Sequence, residues 1–350
     1  MNSYIAYLDV LGTKNSSENE DFDEYIKLIT CFQNALIRSS HLLDETGKIY
    51  FFSDCAYIES CNINSLIDML SSIRQTLFDD EKFVRGAVVK GKLGALNSDD
   101  IEDCEKRYAD DPDLLHKMKA SLNFFKQSKD NSKIKGTLFF CKDVAKAYTF
   151  ESQLKGAAFY IDNEIRKETK DIVKSGFVSN IQKNTYNSFY DIKYNSESIT
   201  SSFIEKVLRF YALSNTSDVK YGRYYLTILI SCINSEDFSN IKYDEEKRKF
   251  VDSPEIFYKI LNLKKSHKLV YNNAKGLEYL YFALIDKFYS DVKDMTLRRY
   301  FLNEVFLNYR FLSKYQNKIS QLPKELISNR TKKSLLEDIV EITLAHSNTI

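Results

Sequence analysis

The stretch Tyr4-Ile5-Ala6-Tyr7-Leu8-Asp9-Val10-Leu11-Gly12 decides how the chain is read. Tyr4–Leu8 is an apolar run of strand length, interrupted by a carboxylate at Asp9 and followed by Gly12. This predicts a buried strand with polar groups at its C-terminal end. The next segment, Asp21 to Ser39, sets Tyr25, Leu28, Phe32, Ala35 and Leu36 at helical spacing, with its acids early, where the helix dipole favours them. Lys48–Phe52 and Cys55–Ser60 are β-rich runs that meet at Ser53-Asp54, the pattern of a tight hairpin. Ile63–Phe78 has the period of a second amphipathic helix, and Phe83–Val89 is a further strand closed by Gly91 and Gly94. The order β-α-β-β-α-β is that of the ferredoxin-like split unit, an antiparallel sheet with helices on one face.

Beyond it the spacing predicts a helix around Pro112–Gln127, a strand at Gly136–Phe140, a helix at Lys142–Gln153 and a short strand at Ala157–Ile161. A first domain over residues 1–170 accounts for these elements. The remainder, 171–350, changes character. After a β segment around Tyr186–Tyr194 it reads as helices at Ser202–Asn215, Tyr221–Asn234, Pro254–Leu263, Ala274–Val292, Thr296–Lys318 and Pro323–His346, with a charged loop over Asn234–Val251. Pro254 and Pro323 fall where helix starts tolerate proline. The expected fold class is α+β, a split βαβ domain followed by a mainly helical one.

Composition narrows the function. Apolar residues make up 43% of the 350, enough to bury a sizeable core. The formal net charge is +1, so nothing global points to nucleic acid or to an anionic membrane. Residues 1–165 carry roughly seven excess acids and the rest about eight excess bases, a modest asymmetry that suits two modules. The six cysteines are scattered without CxxC or His-paired spacing, which argues against a zinc site or a disulfide scaffold. Asp9 interrupts the first apolar run as a signal peptide would not allow, and the longest apolar stretch, Tyr225 to Ile233, is about half a membrane span. The expectation is a cytoplasmic protein with no nucleic-acid or membrane partner. His41, His116, His267 and His346 have no partners at ligand spacing.

Three segments carry chemistry: Ala6–Gly12, Tyr50-Phe51-Phe52-Ser53-Asp54, and Val84-Arg85-Gly86-Ala87. In a split βαβ sheet the end of the first strand and the following hairpin are neighbours, which would bring Asp9 and Asp54 to one edge. Two hard carboxylates there suit a pair of Mg²⁺ or Mn²⁺ ions, which prefer oxygen and keep positions open for phosphate. The amides after Asp9, at Leu11 and Gly12, would cradle that phosphate, and Gly12 allows close approach. Either Asp alone also reads as a turn residue, Arg85 as an edge residue, and Tyr50 as a strand aromatic filling core.

Together, in this order, the segments resemble the class III nucleotidyl cyclases. Tyr7-Leu8-Asp9-Val10-Leu11-Gly12 resembles that family's first metal-binding strand, and Phe51-Phe52-Ser53-Asp54 its second metal-binding hairpin. Val84-Arg85-Gly86-Ala87-Val88-Val89-Lys90-Gly91 resembles the strand that supplies a triphosphate-binding arginine. The resemblance, over roughly residues 3–165, implies that Asp9, Asp54 and the Val10 carbonyl ligate two divalent cations, Mn²⁺ or Mg²⁺, and that Arg85 holds the β- and γ-phosphates. Four positions before Asp54, where adenylyl cyclases carry a base-reading lysine, stands Tyr50. That substitution, with Ala147-Tyr148-Thr149-Phe150-Glu151, resembles the pyrimidine cyclases of Pycsar antiphage systems. The implied activity is conversion of UTP or CTP to the 3′,5′-cyclic nucleotide by a homodimer, feeding a cyclic-nucleotide effector protein. Ala145 and Thr149 stand where the wider family carries an Asn and a transition-state Arg. Two rival readings follow: an inactive nucleotide-binding or scaffold protein of the same fold, and a polymerase-palm relative sharing the βαββαβ core.

Overall fold

The computed structural model describes residues 3–11, 22–93, 95–97, 112, 116, 137–139, 142–153, 157–180, 185–217, 219–261, 263, 274–308, 319–320 and 327–347. Gly12, Pro323 and, apart from Pro112 and His116, the expected helix at 112–127 lie outside the described residues. Two compact units divide the chain: Met1–Gln153 with Phe159–Lys170, and Leu154–Ala158 with Asp171–Ile350. The protein is α+β, with a central mixed sheet and a helix-rich remainder.

In the first unit the elements run β1 (Tyr4–Leu11), α1 (Phe22–Ser39), β2 (Lys48–Phe52), β3 (Cys55–Ser60), α2 (Ile63–Asp79) and β4 (Phe83–Lys90). Then come β5 (Ala95–Asn97), β6 (Thr137–Phe139), α3 (Lys142–Gln153) and β7 (Phe159–Ile161). The strands lie in the order β2-β3-β1-β4-β7, while β5 and β6 pair separately. Read from β4, the first four strands have the 4-1-3-2 order of a split βαβ sheet. β1 is antiparallel to both β3 and β4, and β7 adds to β4 in parallel.

Side-chain alternation along β1 sorts the core into two faces. Ile5 and Tyr7 pack with Val89, Leu93, and Val144 and Ala147 of α3. Tyr4, Ala6, Leu8 and Val10, also buried, fall on the opposite face. There the apolar stripes of α1 (Leu28, Phe32, Ala35, Leu36) and α2 (Leu66, Ile67, Leu70, Ile73, Leu77) complete the layer. Helices on both faces correct the expected one-sided cover, because α3 has an apolar edge of its own to bury. Asn62 starts α2 as its N-cap, accepting from the Asn64 and Ser65 amides at 3.0 and 3.4 Å; such a cap contributes about 1 kcal/mol.

A second correction concerns β1 itself. The strand does not stop at Asp9 but continues to Leu11, because β4 offers paired positions that far: Asp9 faces Arg85, Val10 faces Val84 and Leu11 faces Phe83. Asp9 is therefore a residue within the strand, on the face that α3 covers.

The second unit begins with a hairpin of β8 (Ile172–Asn180) and β9 (Thr185–Ile192), followed by α4 (Ser201–Ser217) and α5 (Val219–Ser235). The expected charged loop holds a small hairpin, β10 (Lys242–Asp244) with β11 (Lys249–Val251), and this is a further correction. α6 (Glu255–Leu261), α7 (Ala274–Asp291), α8 (Met295–Asn308) and α9 (Asn329–Ser347) follow. Their core is aromatic: Phe238, Phe250, Phe257, Phe288 and Phe301 are fully buried and stack or meet edge to face. Among the described residues no helix is long and apolar enough to cross a membrane.

Candidate active site

The strand register builds the site. On one face of the sheet Tyr50 lies opposite Tyr57, Tyr57 opposite Tyr7, and Cys55 opposite Asp9. Asp9 lies opposite Arg85 on its other side. The face thus grades from an aromatic patch to a charged end. Tyr7 and Tyr57 rings are 4.8 Å apart, Tyr148 of α3 meets Tyr7 edge-on at 5.5 Å, and Tyr50 packs against the same cluster. Burial pushes the Tyr57 hydroxyl up to about 12, and it holds Tyr7 protonated more firmly still.

At the charged end Asp54 sits in the β2–β3 turn, half-buried, beside Ser53, whose φ of 42° is in the left-handed region. The Val10 amide donates to the Asp54 carbonyl at 2.9 Å, which ties the turn to β1. Burial pushes the Asp9 carboxyl above its ordinary value, Arg85 opposes that push, and the Asp54 charge adds to it. The net rise despite an ion pair means that desolvation outweighs Arg85 here. Burial also raises the Cys55 thiol, a hydrogen bond with Tyr7 opposes the rise, and the Asp54, Asp9 and Glu151 charges add to it.

Arg85 is gripped from two sides. Its Nε and Nη2 donate to Asp9 Oδ2 at 3.0 and 2.9 Å, and Nε also makes an ion pair with Glu151 of α3. The Glu151 side chain is 3% exposed against 20% for Asp9, so the guanidinium joins the rim of the site to its floor. Gly86, the next residue, permits this packing: a Cβ there would stand 2.4 Å from the Tyr7 carbonyl and 2.9 Å from the Phe159 ring. Gly86→Ala is expected to cost about 1–3 kcal/mol through displaced backbone. Chemical denaturation would measure it, and an unchanged midpoint would contradict the close approach.

The donor set fits a hard divalent cation. Two carboxylates and a main-chain carbonyl supply oxygen only, and the described surroundings set three acids against Arg85. Among the described residues no three His, Cys, Asp or Glu side chains converge as a protein-only cage. A cation held here would keep most of its coordination sphere for water and phosphate.

No protein-family model matches the sequence, and no curated protein matches it. Solved structures do. The guanylyl cyclase Cya2 is 12% identical, with a TM-score of 0.35 over 55% of this chain and 92% of that one. A bacterial light-regulated adenylyl cyclase is 12% identical, with a TM-score of 0.35 over 59% and 97%. The adenylyl cyclase CyaB from P. aeruginosa is 13% identical, with a TM-score of 0.34 over 57% and 97%.

Of the residues singled out from sequence, Asp9, Val10, Asp54 and Arg85 lie together at this end of the sheet, Leu11 continues β1 beyond them, and Tyr50 lies along the same face. Gly12 lies outside the described residues. Glu151 emerged only from the structure as a partner of Arg85. The signal was the helical Ala147…Glu151 segment, but sequence spacing says nothing of which strand a helix residue meets. Thr149 turns back on its own helix, its hydroxyl donating to the Ala145 carbonyl at 2.7 Å.

Proposed function

We propose that the protein is a metal-dependent pyrimidine nucleotidyl cyclase, converting UTP or CTP to the 3′,5′-cyclic nucleotide and diphosphate. What supports this reading is that the Val10 amide ties the Asp54 turn to β1 beside Asp9, where the Asp54 charge bears on the Asp9 carboxyl. Asp9, Asp54 and the Val10 carbonyl would hold two divalent cations, Mn²⁺ or Mg²⁺. Such ions lower the pKa of the ribose 3′-hydroxyl and screen the charge of departing diphosphate. The chain orients the rest. Arg85 binds the β- and γ-phosphates, and the Leu11 and Gly12 amides cradle them. Tyr50 stacks on or hydrogen-bonds to the base, which is smaller than a purine. No protein base is required when the hydroxyl is acidified in this way.

The chain acts as a homodimer in the cytoplasm, its partner completing the base pocket. Residues 171–350 form an accessory domain that regulates or dimerises residues 1–170. The cyclic product is a second messenger of antiviral defence read by an effector protein, a role that rests on sequence resemblance alone.

The test is incubation of the full chain with each of the four NTPs and Mn²⁺, with chromatography of the products. Cyclic UMP or cyclic CMP in excess over the purine products is expected. Linear oligonucleotides would replace this reading with that of a palm polymerase. Tyr50→Lys is expected to shift the ratio of pyrimidine to purine product by about tenfold toward purine, about 1.4 kcal/mol of differential binding. An unchanged ratio would remove Tyr50 from the base pocket.

A second reading is favoured by Ala145 and Thr149, which bond to each other through main chain and hydroxyl and present no cation where the resemblance expects one. On that reading the chain binds nucleotide without turnover. It requires that no NTP yields cyclic product while Mn²⁺-dependent nucleotide binding persists.

A further inference from the structure

We propose that Tyr148 is a base-contacting residue, whose ring forms with those of Tyr50 and Tyr57 a corner in which the nucleobase stacks. This rests on the cyclase reading above and deepens it by placing a determinant of substrate binding on α3.

The sheet supplies the floor of that corner. Tyr50, Tyr57 and Tyr7 form one cross-strand row, and Phe52, Cys55, Asp9 and Arg85 form the next row on the same face. α3 packs on β4 and β1, while β3 and then β2 lie beyond β1 toward the edge of the sheet. There Tyr57 and Tyr50 are half-buried and Phe52 is exposed. The aromatic floor thus continues past the helix.

α3 supplies the wall. Its Val144 and Ala147 enter the core, Phe150 meets Tyr160 at 4.5 Å, and the Thr149 hydroxyl is spent on the Ala145 carbonyl. Tyr148 is placed differently: 53% exposed, it meets the Tyr7 ring at 5.5 Å with the planes at 68°. Its charge also adds to the rise at the Tyr57 hydroxyl, so the side chain leans toward β3 and over the floor. A ring held along one side and open elsewhere is a stacking surface whose ordering is already complete before a base arrives.

Floor and wall are graded in the same sense. Along β1 the row of Tyr7 precedes the row of Asp9, and along α3 Tyr148 lies one turn before Glu151, the residue that pairs with Arg85. An aromatic end beside a charged end, on both surfaces, matches a nucleotide, whose flat base and anionic phosphates are joined through one sugar. Stacking on an aromatic ring tolerates different bases, because every base has a π-face. Tyr148 therefore contributes affinity for UTP and CTP alike, and discrimination stays with Tyr50.

The experiment measures steady-state cyclisation of UTP and of CTP by the full chain with saturating Mn²⁺. Tyr148→Leu is expected to raise KM about tenfold and to keep kcat within about twofold, as loss of binding common to ground and transition states does. Tyr148→Phe keeps the ring and is expected to stay within about twofold of wild type in both constants. Inorganic tripolyphosphate, which carries no base, is expected to inhibit wild type and Tyr148→Leu equally. If Tyr148→Leu leaves KM within about twofold, or Tyr148→Phe raises it as far as Tyr148→Leu does, the stacking role is wrong. A loss of tripolyphosphate affinity as large as the rise in KM would mark a structural role and overturn it as well.

Failure of the cyclase reading shows separately. If wild type yields no cyclic product from any NTP, that reading falls, and equilibrium dialysis of labelled UTP and CTP with Mn²⁺ decides on Tyr148. Weaker retention by Tyr148→Leu then supports the stack, and equal retention overturns it. If wild type retains no nucleotide, both readings fall together. Should Tyr148→Leu not fold, as judged by circular dichroism, Tyr148→Gln, which also lacks the ring, takes its place in every arm.

Discussion

Asp54→Asn is expected to lower cyclic-nucleotide formation by about three orders of magnitude or more while leaving the protein folded. The two halves of that statement have separate causes. Among the described residues the Asp54 carboxylate makes no hydrogen bond or ion pair; it is the main-chain carbonyl of Asp54 that accepts from Val10. Amide for carboxylate preserves shape and leaves that bond in place, so the melting temperature should change by no more than about 2–4 °C. The lost charge, however, is half of the carboxylate pair proposed to hold the cations. Asp9→Asn behaves differently. It too removes a proposed ligand, but it also takes the charge from the one oxygen that accepts both Arg85 donors, and a stability loss of about 1–3 kcal/mol should accompany the lost activity. Rates with saturating Mn²⁺ and NTP, beside thermal melts, check both. An Asp54→Asn enzyme within about tenfold of the wild-type rate would end the two-carboxylate account.

The contrast between these two acids marks how far the sequence carried. Asp9, Asp54 and Arg85 were legible because each lies in an apolar frame of strand length, and the split βαβ order brings such strands side by side. What the order does not contain is the pairing between them. Whether Arg85 faces a phosphate site or Asp9 depends on a register that extends β1 past Asp9 to Leu11, and Asp9 had looked like a strand end because a carboxylate is a poor strand-interior residue. It sits there because Arg85 is its cross-strand partner. Glu151 was hidden for a related reason: the 3.6-residue period gives its helix face but not the strand beneath it. β8 was missed because Ser175 interrupts its apolar pattern. Ser175 is 1% exposed, and the Ser231 hydroxyl of α5, which also bonds Asp191, donates to it at 2.7 Å. A strand with a buried serine at an inward position, satisfied by a helix, breaks the apolar alternation there. The β10–β11 hairpin is so short that only Tyr243 and Phe250 mark it among charged neighbours.

In the second unit the largest expected effect is on stability. Phe288 is fully buried on α7 and stacks on Phe301 of α8, with centroids 4.1 Å apart and planes at 15°. It also lies 5.8 Å from Phe257 of α6 and 6.2 Å from Phe250 of β11. One ring therefore joins three helices and a hairpin. Phe288→Ala removes its transfer free energy and leaves a cavity whose walls are rigid rings with few ways to collapse, for an expected loss of about 3–5 kcal/mol. Phe288→Leu fills most of the volume but forfeits the stacking, and about 1–2 kcal/mol should be lost. The chain has no tryptophan, so denaturant unfolding is best followed by far-ultraviolet circular dichroism, where the helices dominate. If Phe288→Ala costs under about 1 kcal/mol, the ring is not a keystone and the aromatic stack cannot be what holds α6, α7 and α8 together. If alanine and leucine cost the same, the penalty lies in lost ring contacts and not in the cavity, since only the alanine variant opens one.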